Sequence, residues 1–410
     1  MSVRSLFSLC WGLVFAVLLL GLLMYPVGAV ITTGVISFDP LSFYLSVLVA
    51  VIGVSAIFFN AADVTNRSKL YLFLSLGFSV LCFCTNNSIL FWCFYELSML
   101  PLLYLIFRDS PYSERYVAGW YFLAYLLVTS LPLILVLLYL SSVNMSCVIS
   151  EWHNEAAPLW AYVILAFVFF TKVPLCPFHT WLPIVHAEAT SVVSTFLSGY
   201  IMKLGVVGVF RFSSHSLIGD FGNYLILCCI MSVLFLVCAA AELDAKRWLA
   251  LLSLSHIVVP FIGLFVCGWG LDSIIFFYSL GHGLSAALVF GLLWMFYGSV
   301  NTRNWVLLKT GISGMSSLGL VVVSLLSLCS FPPTIQFFSE VFLFSSSFFS
   351  IPYVVFWVCY LFFGGLVPLV LCGHSVIRVE ASESSSSATC VFGVYLLVLA
   401  GWCFAGVVFL

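Results

Sequence analysis

Charged residues are scarce in this sequence. Its 410 residues include 13 Lys and Arg and 15 Asp and Glu, so that 7% are charged while 64% are hydrophobic. Soluble proteins carry about 25% charged residues, and no soluble fold can bury so large an apolar share. A surplus of basic residues that would bind nucleic acid is also absent, because the formal net charge is −2. These absences exclude a soluble enzyme and a nucleic-acid-binding protein, and they predict a membrane protein.

Regular alternation of polar and apolar residues is missing as well, which excludes a transmembrane β-barrel. Apolar runs of about 20 residues instead predict an all-α polytopic membrane protein. The 15 cysteines include no paired C-x-x-C motif and no His/Cys spacing that is typical of metal sites. We therefore interpret them as small buried hydrophobic residues.

Thirteen segments are candidates to cross about 30 Å of hydrocarbon, although the third is marginal in length. They cover residues 6–30, 40–59, 69–83, 89–107, 117–140, 160–181, 191–212, 224–241, 248–267, 272–297, 314–344, 351–371 and 389–410. The sixth and the eleventh are interrupted by prolines. The first is too long for a signal-peptide core and lacks a small-residue cleavage site, so we expect a retained helix.

The basic residues test this count, because Lys and Arg collect on the cytoplasmic or matrix side of a membrane protein. Thirteen spans place Arg211 on one side and leave Lys172 and Lys203 inside spans. The other ten fall on the N-terminal side: Arg4, Arg67, Lys69, Arg108, Arg115, Lys246, Arg247, Arg303, Lys309 and Arg378. An error of one span in the middle would scramble this bias. The bias therefore supports the count and predicts an N-terminus that faces the matrix or the cytoplasm.

Four ionisable residues lie in the middle of predicted spans: Glu96, Lys172, Lys203 and Glu340. Each costs at least ~2.5 kcal/mol to insert unless it is paired or reaches water. A salt bridge between helices, or a side chain that extends to the surface, explains one such residue more readily than four. Titratable groups inside a membrane are typical of proton and ion relays, so we interpret the four as parts of a relay.

Two of the predicted spans are broken beside these charges. Two prolines follow Lys172 within five residues, and a Pro-Pro pair begins eight residues before Glu340. Corresponding breaks in two halves are typical of transporters built from inverted repeats. Lys172 precedes Glu340 by 168 residues and Glu96 precedes His256 by 160, so we predict two five-helix repeats. The predicted division is 1–60 for N-terminal spans, 61–215 and 216–375 for the repeats, and 376–410 for a loop and the last span.

A Glu–Lys pair whose distance can change works as a proton switch, because a nearby glutamate keeps the lysine protonated and a withdrawn one releases the proton. Glu96 and Lys172 suit this role. His256 and His282 lie within spans beside hydroxyl groups, and imidazole passes protons between its two nitrogens near neutral pH. A lone histidine in a membrane is usually a packing group, but two between a buried lysine and a buried glutamate favour a relay.

Several stretches resemble the antiporter-like subunits of respiratory complex I. They are FYELSMLP at 94–101, KVP…HTWLP…HAEA at 172–189, KLG at 203–205, the D-x-K…S-x-S-H pattern at 244–256, and FPP followed by Ser-Glu at 331–340. These stretches cover about residues 85–345, and their joint match is highly specific. A glutamate at the position of Glu340 is typical of the subunit-4 branch, whereas subunits 2 and 5 usually carry lysine there.

The resemblance implies the family's fold and the roles of its buried charges. Glu96 and Lys172 would form the coupling pair, and Lys203 would be the central relay. His256 and His282, with water, would connect Lys203 to a terminal proton donor, Glu340. The family has fourteen helices, and its motif helices fall one earlier here, so we expect one helix fewer at the N-terminus. Ile184 and Thr190 depart from the family pattern, which argues against an essential role for their loop.

No nicotinamide, flavin or iron–sulfur motif is visible in the sequence. The resemblance implies that NADH, FMN, iron–sulfur clusters and ubiquinone belong to partner subunits. It also implies contact with other membrane-arm subunits, two of them antiporter-like, and with lipids such as cardiolipin, but not with nucleic acid. The 41 Phe and 15 Cys with few Lys suit an organellar gene, so we expect the mitochondrial inner membrane, with a bacterial plasma membrane as the alternative.

Two other functions stay open at this point. A subunit of a multisubunit cation/proton antiporter, driven by ion gradients without redox chemistry, has nearly the same motifs. The third hypothesis is a scaffold that moves no protons. Replacement of any of the four membrane charges by an apolar residue would have favoured it. None of the four is replaced by an apolar residue.

Overall fold

Helices make up almost all of the part of the chain that the structure describes. The structure is a computed structural model, and it describes residues 31–59, 64–153, 157–213, 221–266, 272–312, 314–377 and 387–409. In chain order the α-helices are α1 (Pro40–Phe59), α2 (Asn66–Cys84), α3 (Ser88–Asp109), α4 (Arg115–Val143), α5 (Leu159–Lys172), α6 (Trp181–Glu188), α7 (Ser191–Phe196), α8 (Met202–Phe212), α9 (Gly222–Ala241), α10 (Ala245–His256), α11 (Val258–Val266), α12 (Asp272–Val300), α13 (Trp305–Leu308), α14 (Gly314–Leu328), α15 (Ile335–Ser347), α16 (Ile351–Ile377) and α17 (Ser387–Phe409).

Twelve of the thirteen predicted spans coincide with these helices, and the first, residues 6–30, lies outside the described residues. Nine helical segments of the described chain are long and apolar enough to cross a membrane. The other three predicted spans contain shorter apolar helices, and two of these spans are the broken ones. The prediction of an all-helical polytopic membrane protein is confirmed, whereas the division into four domains stays a prediction.

Two small features depart from the predicted helices. Strands β1 (Ile31–Thr32) and β2 (Ser37–Phe38) form a two-residue antiparallel pair ahead of α1. A π-helical turn, Leu197–Ile201, joins α7 to α8. The hydropathy pattern contains no sign of either, because strands of two residues are too short for a periodic signal and a widened helical turn has no hydropathy signature of its own.

Contacts between loops divide them into two faces. On the first face Ser68 bonds to Asp109, and Arg303 pairs with both Glu188 and Asp244. We call this the basic face; it is formed by the loops around residues 65–69, 108–115, 187–190, 242–247 and 301–309. On the opposite face, Arg211 pairs with Asp39 at 3.3 Å. Thirteen spans place the same loops together on each face, so the predicted number of spans in the middle of the chain is correct.

Both predicted breaks are present, and local groups satisfy the backbone atoms that the breaks release. Helix α5 ends at Lys172 and the chain becomes helical again at Trp181, whose indole Nε1 donates to the Thr171 carbonyl at 2.9 Å. In the second half, α15 starts after Thr334, whose hydroxyl accepts from the Phe337 N–H at 3.3 Å. Such bonds within the protein help a break to persist at membrane depth, where free backbone groups are costly.

Glycines on α8 allow a close approach to α5. A Cβ atom at Gly205 would overlap the side chain of Val173, and one at Gly208 would overlap the ring of Phe169. Small residues let membrane helices pack backbone against backbone. The segment from α7 to α8 is buried as far as residue 209, so this contact fixes the buried helix that carries Lys203 against the helix that ends at Lys172.

Candidate proton-transfer site

Glu96 and Lys172 meet inside the first half of the molecule. The Lys172 Nζ lies 3.9 Å from Glu96 Oε1, 3.8 Å from the Met99 sulfur and 5.6 Å from the centre of the Tyr95 ring. Both residues are buried, with 5% of Lys172 and 8% of Glu96 exposed. Neither Glu96 oxygen has a hydrogen-bond partner among the described residues. The pair is therefore a long ion contact, and the carboxylate is not fixed by other bonds.

Lys203 lies at the start of α8, directly after the π turn. The Met202 N–H bonds to the Leu197 carbonyl, five residues back, so the Ser198 carbonyl is left for another donor. The Lys203 ammonium takes this position and donates to Ser198 O at 2.6 Å. Its Nζ also lies 3.1 Å from Nδ1 of His282 on α12. π turns are frequent at functional sites, and this one orients the central lysine of the predicted relay.

His282 and His256 continue from Lys203. Their rings are stacked with centroids 5.3 Å apart. Nδ1 of His256 lies 2.5 Å from the Leu252 carbonyl, and because a carbonyl only accepts, this nitrogen carries a hydrogen. Nδ1 of His282 accepts from the Lys203 ammonium, and its Nε2 has no partner in the described part of the chain. The His282 Nε2 is therefore free to exchange a proton, and His256 is the titratable side chain stacked on its ring.

Glu340 lies on α15, beyond the second break, and is held by two donors. The Tyr360 hydroxyl and the Gln336 amide each donate to Glu340 Oε1 at 3.0 Å. Tyr360 also lies 3.2 Å from the Tyr278 hydroxyl, and its ring packs against His256 with centroids 5.5 Å apart. Two buried tyrosines thus connect the histidine pair to the terminal glutamate.

The structure brings the six predicted residues into two groups. His282 contacts both Lys203 and His256, and tyrosines extend this group to Glu340. Glu96 and Lys172 form a separate pair, since Lys172 contacts Tyr95 and Met99, while Lys203 contacts Ser198 and His282. The roles assigned to these residues stay predictions.

Comparison with known sequences shows the family. Residues 85–366 match the family described as NADH:quinone oxidoreductase/Mrp antiporter, TM. This chain belongs to that family. NADH-ubiquinone oxidoreductase chain 4 of Rhipicephalus sanguineus is 30% identical over 318 residues, which cover 75% of this chain and 72% of the relative. The chain 4 protein of Ceratitis capitata is 32% identical over 319 residues, covering 75% of this chain and 69% of the relative.

Solved structures share the antiporter fold with this family member. A chain of respiratory complex I from Thermus thermophilus with bound NADH superposes with a TM-score of 0.77 at 20% identity, covering 88% of this chain and 80% of that one. A chain of the Mrp complex from Dietzia sp. DQ12-45-1b gives a TM-score of 0.77 at 16% identity, covering 94% and 78%. The fold is thus common to a respiratory complex I and an Mrp complex and does not separate them.

Three residues of the site were not predicted from this family member's sequence: Tyr278, Gln336 and Tyr360. Two of them had a signal, because Tyr278 precedes His282 by four residues and Gln336 precedes Glu340 by four, a spacing that puts polar groups on one face of a helix. Ser285 donates to Gln336 Oε1 at 3.1 Å. Tyr360 belongs to α16, and its hydroxyl reaches Glu340 through the packing of that helix, which the local sequence does not predict.

Proposed function

We propose that this chain is subunit 4 of NADH–ubiquinone oxidoreductase and that it translocates protons in the membrane arm of the mitochondrial enzyme. The observation that carries the proposal is the contact series from Lys203 through His282, His256 and Tyr360 to Glu340. Such a series of titratable groups inside a membrane has no structural need and is typical of proton relays. Relatives named chain 4 support the choice of subunit.

The Glu96–Lys172 pair acts as the switch of this relay. At 3.9 Å the carboxylate favours the protonated lysine. Glu96 makes no hydrogen bond to the described residues, so it is free to move when a neighbouring subunit changes conformation. Withdrawal of the carboxylate makes the Lys172 ammonium release its proton toward Lys203, and its return restores the starting charge.

Lys203 then passes a proton along the second group. Its ammonium gives a proton to Nδ1 of His282, which releases one from Nε2 toward Nε2 of His256. Water then takes the proton from Nε2 of His256 to the Tyr278 and Tyr360 hydroxyls, and Tyr360 gives its own proton to Oε1 of the Glu340 carboxylate as it receives the new one. Moving one charge against ~100 mV costs ~2.3 kcal/mol, so redox chemistry in partner subunits must supply the energy.

The membrane orientation follows from the basic face. Basic loops stay on the matrix side, so on this proposal the basic face and the N-terminus lie toward the matrix of the mitochondrial inner membrane. The neighbouring membrane-arm subunits, lipids, and the NADH, FMN, iron–sulfur and quinone sites remain predictions about the assembled enzyme. The chain itself contributes proton transfer.

A multisubunit cation/proton antiporter is the second candidate, since the Mrp complex has the same fold. The relatives named chain 4 favour the redox complex. Native electrophoresis of gently solubilised membranes, probed for this chain and stained for NADH dehydrogenase activity, distinguishes the two. We expect migration with activity in a very large complex. A smaller band without NADH activity would contradict the assignment and point to sodium-dependent exchange.

A further inference from the structure

Lys172 is held by weaker contacts than two other buried lysines. Lys203 and Lys246 each donate to a main-chain carbonyl at 2.6 Å. Among the described residues, the Lys172 ammonium has the Met99 sulfur as its one hydrogen-bond acceptor, at 3.8 Å. A thioether accepts a hydrogen bond weakly, and it is not a base near neutral pH. Met99 can therefore orient the amine of Lys172 without competing for its proton.

The ring of Tyr95 forms a second neutral contact with the same ammonium. Lys172 Nζ lies 5.6 Å from the ring centre, within the ~6 Å over which an aromatic face attracts a cation. Phe91 stacks on the Tyr95 ring with centroids 5.7 Å apart, and Phe169 meets it edge-on at 5.9 Å. Phe169 precedes Lys172 by three residues on α5, so the helix that carries the lysine also fixes the ring. We call Tyr95 and Met99 the neutral cradle.

The neutral cradle and Glu96 lie together on α3. Met99 follows Tyr95 by four residues and Glu96 by three, so these side chains are neighbours on the helix surface. A displacement of the whole helix would lengthen the contacts of Lys172 with all three residues. Rotation of the Glu96 side chain would lengthen the ion contact alone. Because a buried charge without partners is costly, the rotation, which keeps both neutral contacts, is the less costly way to separate the pair.

Glu96 is the member of this group that is free to rotate. Neither of its carboxylate oxygens has a hydrogen-bond partner among the described residues. Tyr95 and Met99 are fully enclosed, whereas Glu96 keeps some exposure. Leu100, which lies beside Glu96 one turn along the helix, is 44% exposed. Glu96 therefore lies at the border between the buried and the exposed face of α3, and its carboxylate can turn away from Lys172 while the neutral cradle stays in place.

We propose that Met99 is a positioning residue of the switch, which with Tyr95 holds the Lys172 ammonium in place while the Glu96 carboxylate turns away. One N–H bond of Lys172 then breaks, its electron pair stays on Nζ, and the proton passes to water on the way to the neutral amine of Lys203. The carboxylate returns when Lys172 is protonated again. This inference rests on the proposed function and specifies how the lysine stays oriented during the step.

Two replacements of Met99 separate a hydrogen-bond acceptor from a packing group. Met99→Leu keeps the apolar volume and removes the acceptor, whereas Met99→Gln keeps an acceptor of similar reach. In the assembled complex, reconstituted into vesicles, Met99→Leu is expected to slow proton pumping and coupled NADH oxidation about threefold, the effect of losing one weak hydrogen bond. Met99→Gln is expected to keep most of the rate. A packing role predicts the opposite order, because leucine replaces a buried methionine at low cost and a buried amide does not.

Met231→Leu is the matched control, because Met231 is half-buried on α9 and the change in chemistry is the same; it is expected to pump normally. NADH oxidation by an artificial acceptor, which needs only the partner flavin, is expected to stay normal in every variant. If the Met99 variants do not assemble, Tyr95 carries the test. Tyr95→Phe keeps the ring face and is expected to keep most of the rate, whereas Tyr95→Leu removes the ring and is expected to slow pumping about threefold.

Two results would overturn the inference: a Met99→Leu variant that pumps as fast as Met99→Gln or faster, or equal losses in Met99→Leu and Met231→Leu. Normal pumping in Met99→Leu is also the result expected if α3 moved as a whole, because the neutral cradle would then leave with the carboxylate. Lys172→Met keeps the two proposals distinguishable. Loss of pumping in Lys172→Met with normal pumping in Met99→Leu refutes the positioning role alone. Normal pumping in Lys172→Met refutes the switch on which it rests.

Discussion

Lys203 has two acceptors within reach of its ammonium group, and they differ in kind. The Ser198 carbonyl at 2.6 Å cannot take a proton, whereas Nδ1 of His282 at 3.1 Å can. The carbonyl therefore orients the lysine, and the imidazole receives its proton. The Ser198 carbonyl can orient the lysine because the π turn leaves it without a backbone N–H donor.

Lys203→Met removes the amine while it keeps the length of the side chain. We expect coupled NADH oxidation and proton pumping to fall about tenfold or more, with normal activity toward an artificial acceptor. Lys309→Met is the control, because Lys309 lies on the basic face and, within the described part of the chain, bonds to the His374 carbonyl and to none of the relay residues. Similar rates in the two variants would contradict the role of Lys203.

Tyr360→Phe removes one hydroxyl and leaves the ring in place. Glu340 keeps its bond to Gln336, so assembly is expected to be normal while pumping slows about threefold to tenfold, the effect of losing one hydrogen bond. Tyr353→Phe, a buried tyrosine two turns earlier on α16, is expected to pump normally. A Tyr360→Phe variant that pumps at the normal rate would remove the tyrosines from the relay.

At the scale of the elements, hydropathy and proline positions predict the helices and both breaks, because burial in lipid and the missing proline N–H act locally. They do not predict which side chains of different helices meet. Tyr278 and Tyr360 belong to α12 and α16, and their hydroxyls come within 3.2 Å only when those helices pack. The π turn before Lys203 is likewise not predicted, since its sequence, Leu-Ser-Gly-Tyr-Ile, is also compatible with an ordinary helical turn.

Gly205→Ala tests the contact between α8 and α5. Alanine is the better helix former by about 1 kcal/mol, but its Cβ would overlap Val173, and overpacking costs about 1–3 kcal/mol. We expect a lower midpoint of thermal unfolding and less assembled complex. Gly364→Ala on α16 meets no atom within 4 Å and is expected to leave stability equal or higher. The opposite order of the two midpoints would refute the packing argument.

At the scale of the whole molecule, ten basic residues on one side predict the membrane orientation, and the loop contacts confirm which loops share a face. The assignment of that face to the matrix comes from the general behaviour of basic loops. Chemical labelling of the protein in the intact membrane identifies the compartment that each face meets.

Cysteine labelling provides that test. Arg247→Cys puts an exposed thiol on the basic face, and Met145→Cys puts one on the opposite face, where Met145 is 91% exposed. A membrane-impermeant thiol reagent on the matrix side is expected to label the first variant above the background of the unaltered chain, but not the second. The reverse pattern would invert the orientation and, with it, the direction of proton entry.

Arg303 has a mechanical consequence. Arg303 forms ion pairs with Glu188, at the end of the first broken span, and with Asp244, at the start of the helix that carries His256. Because the Arg303 side chain bonds to both predicted repeats, neither repeat can slide along the basic face unless an ion pair breaks. We therefore expect relative motion of the two predicted repeats to be smallest at Arg303 and largest at the far ends of the helices, which meet water on the other side of the membrane.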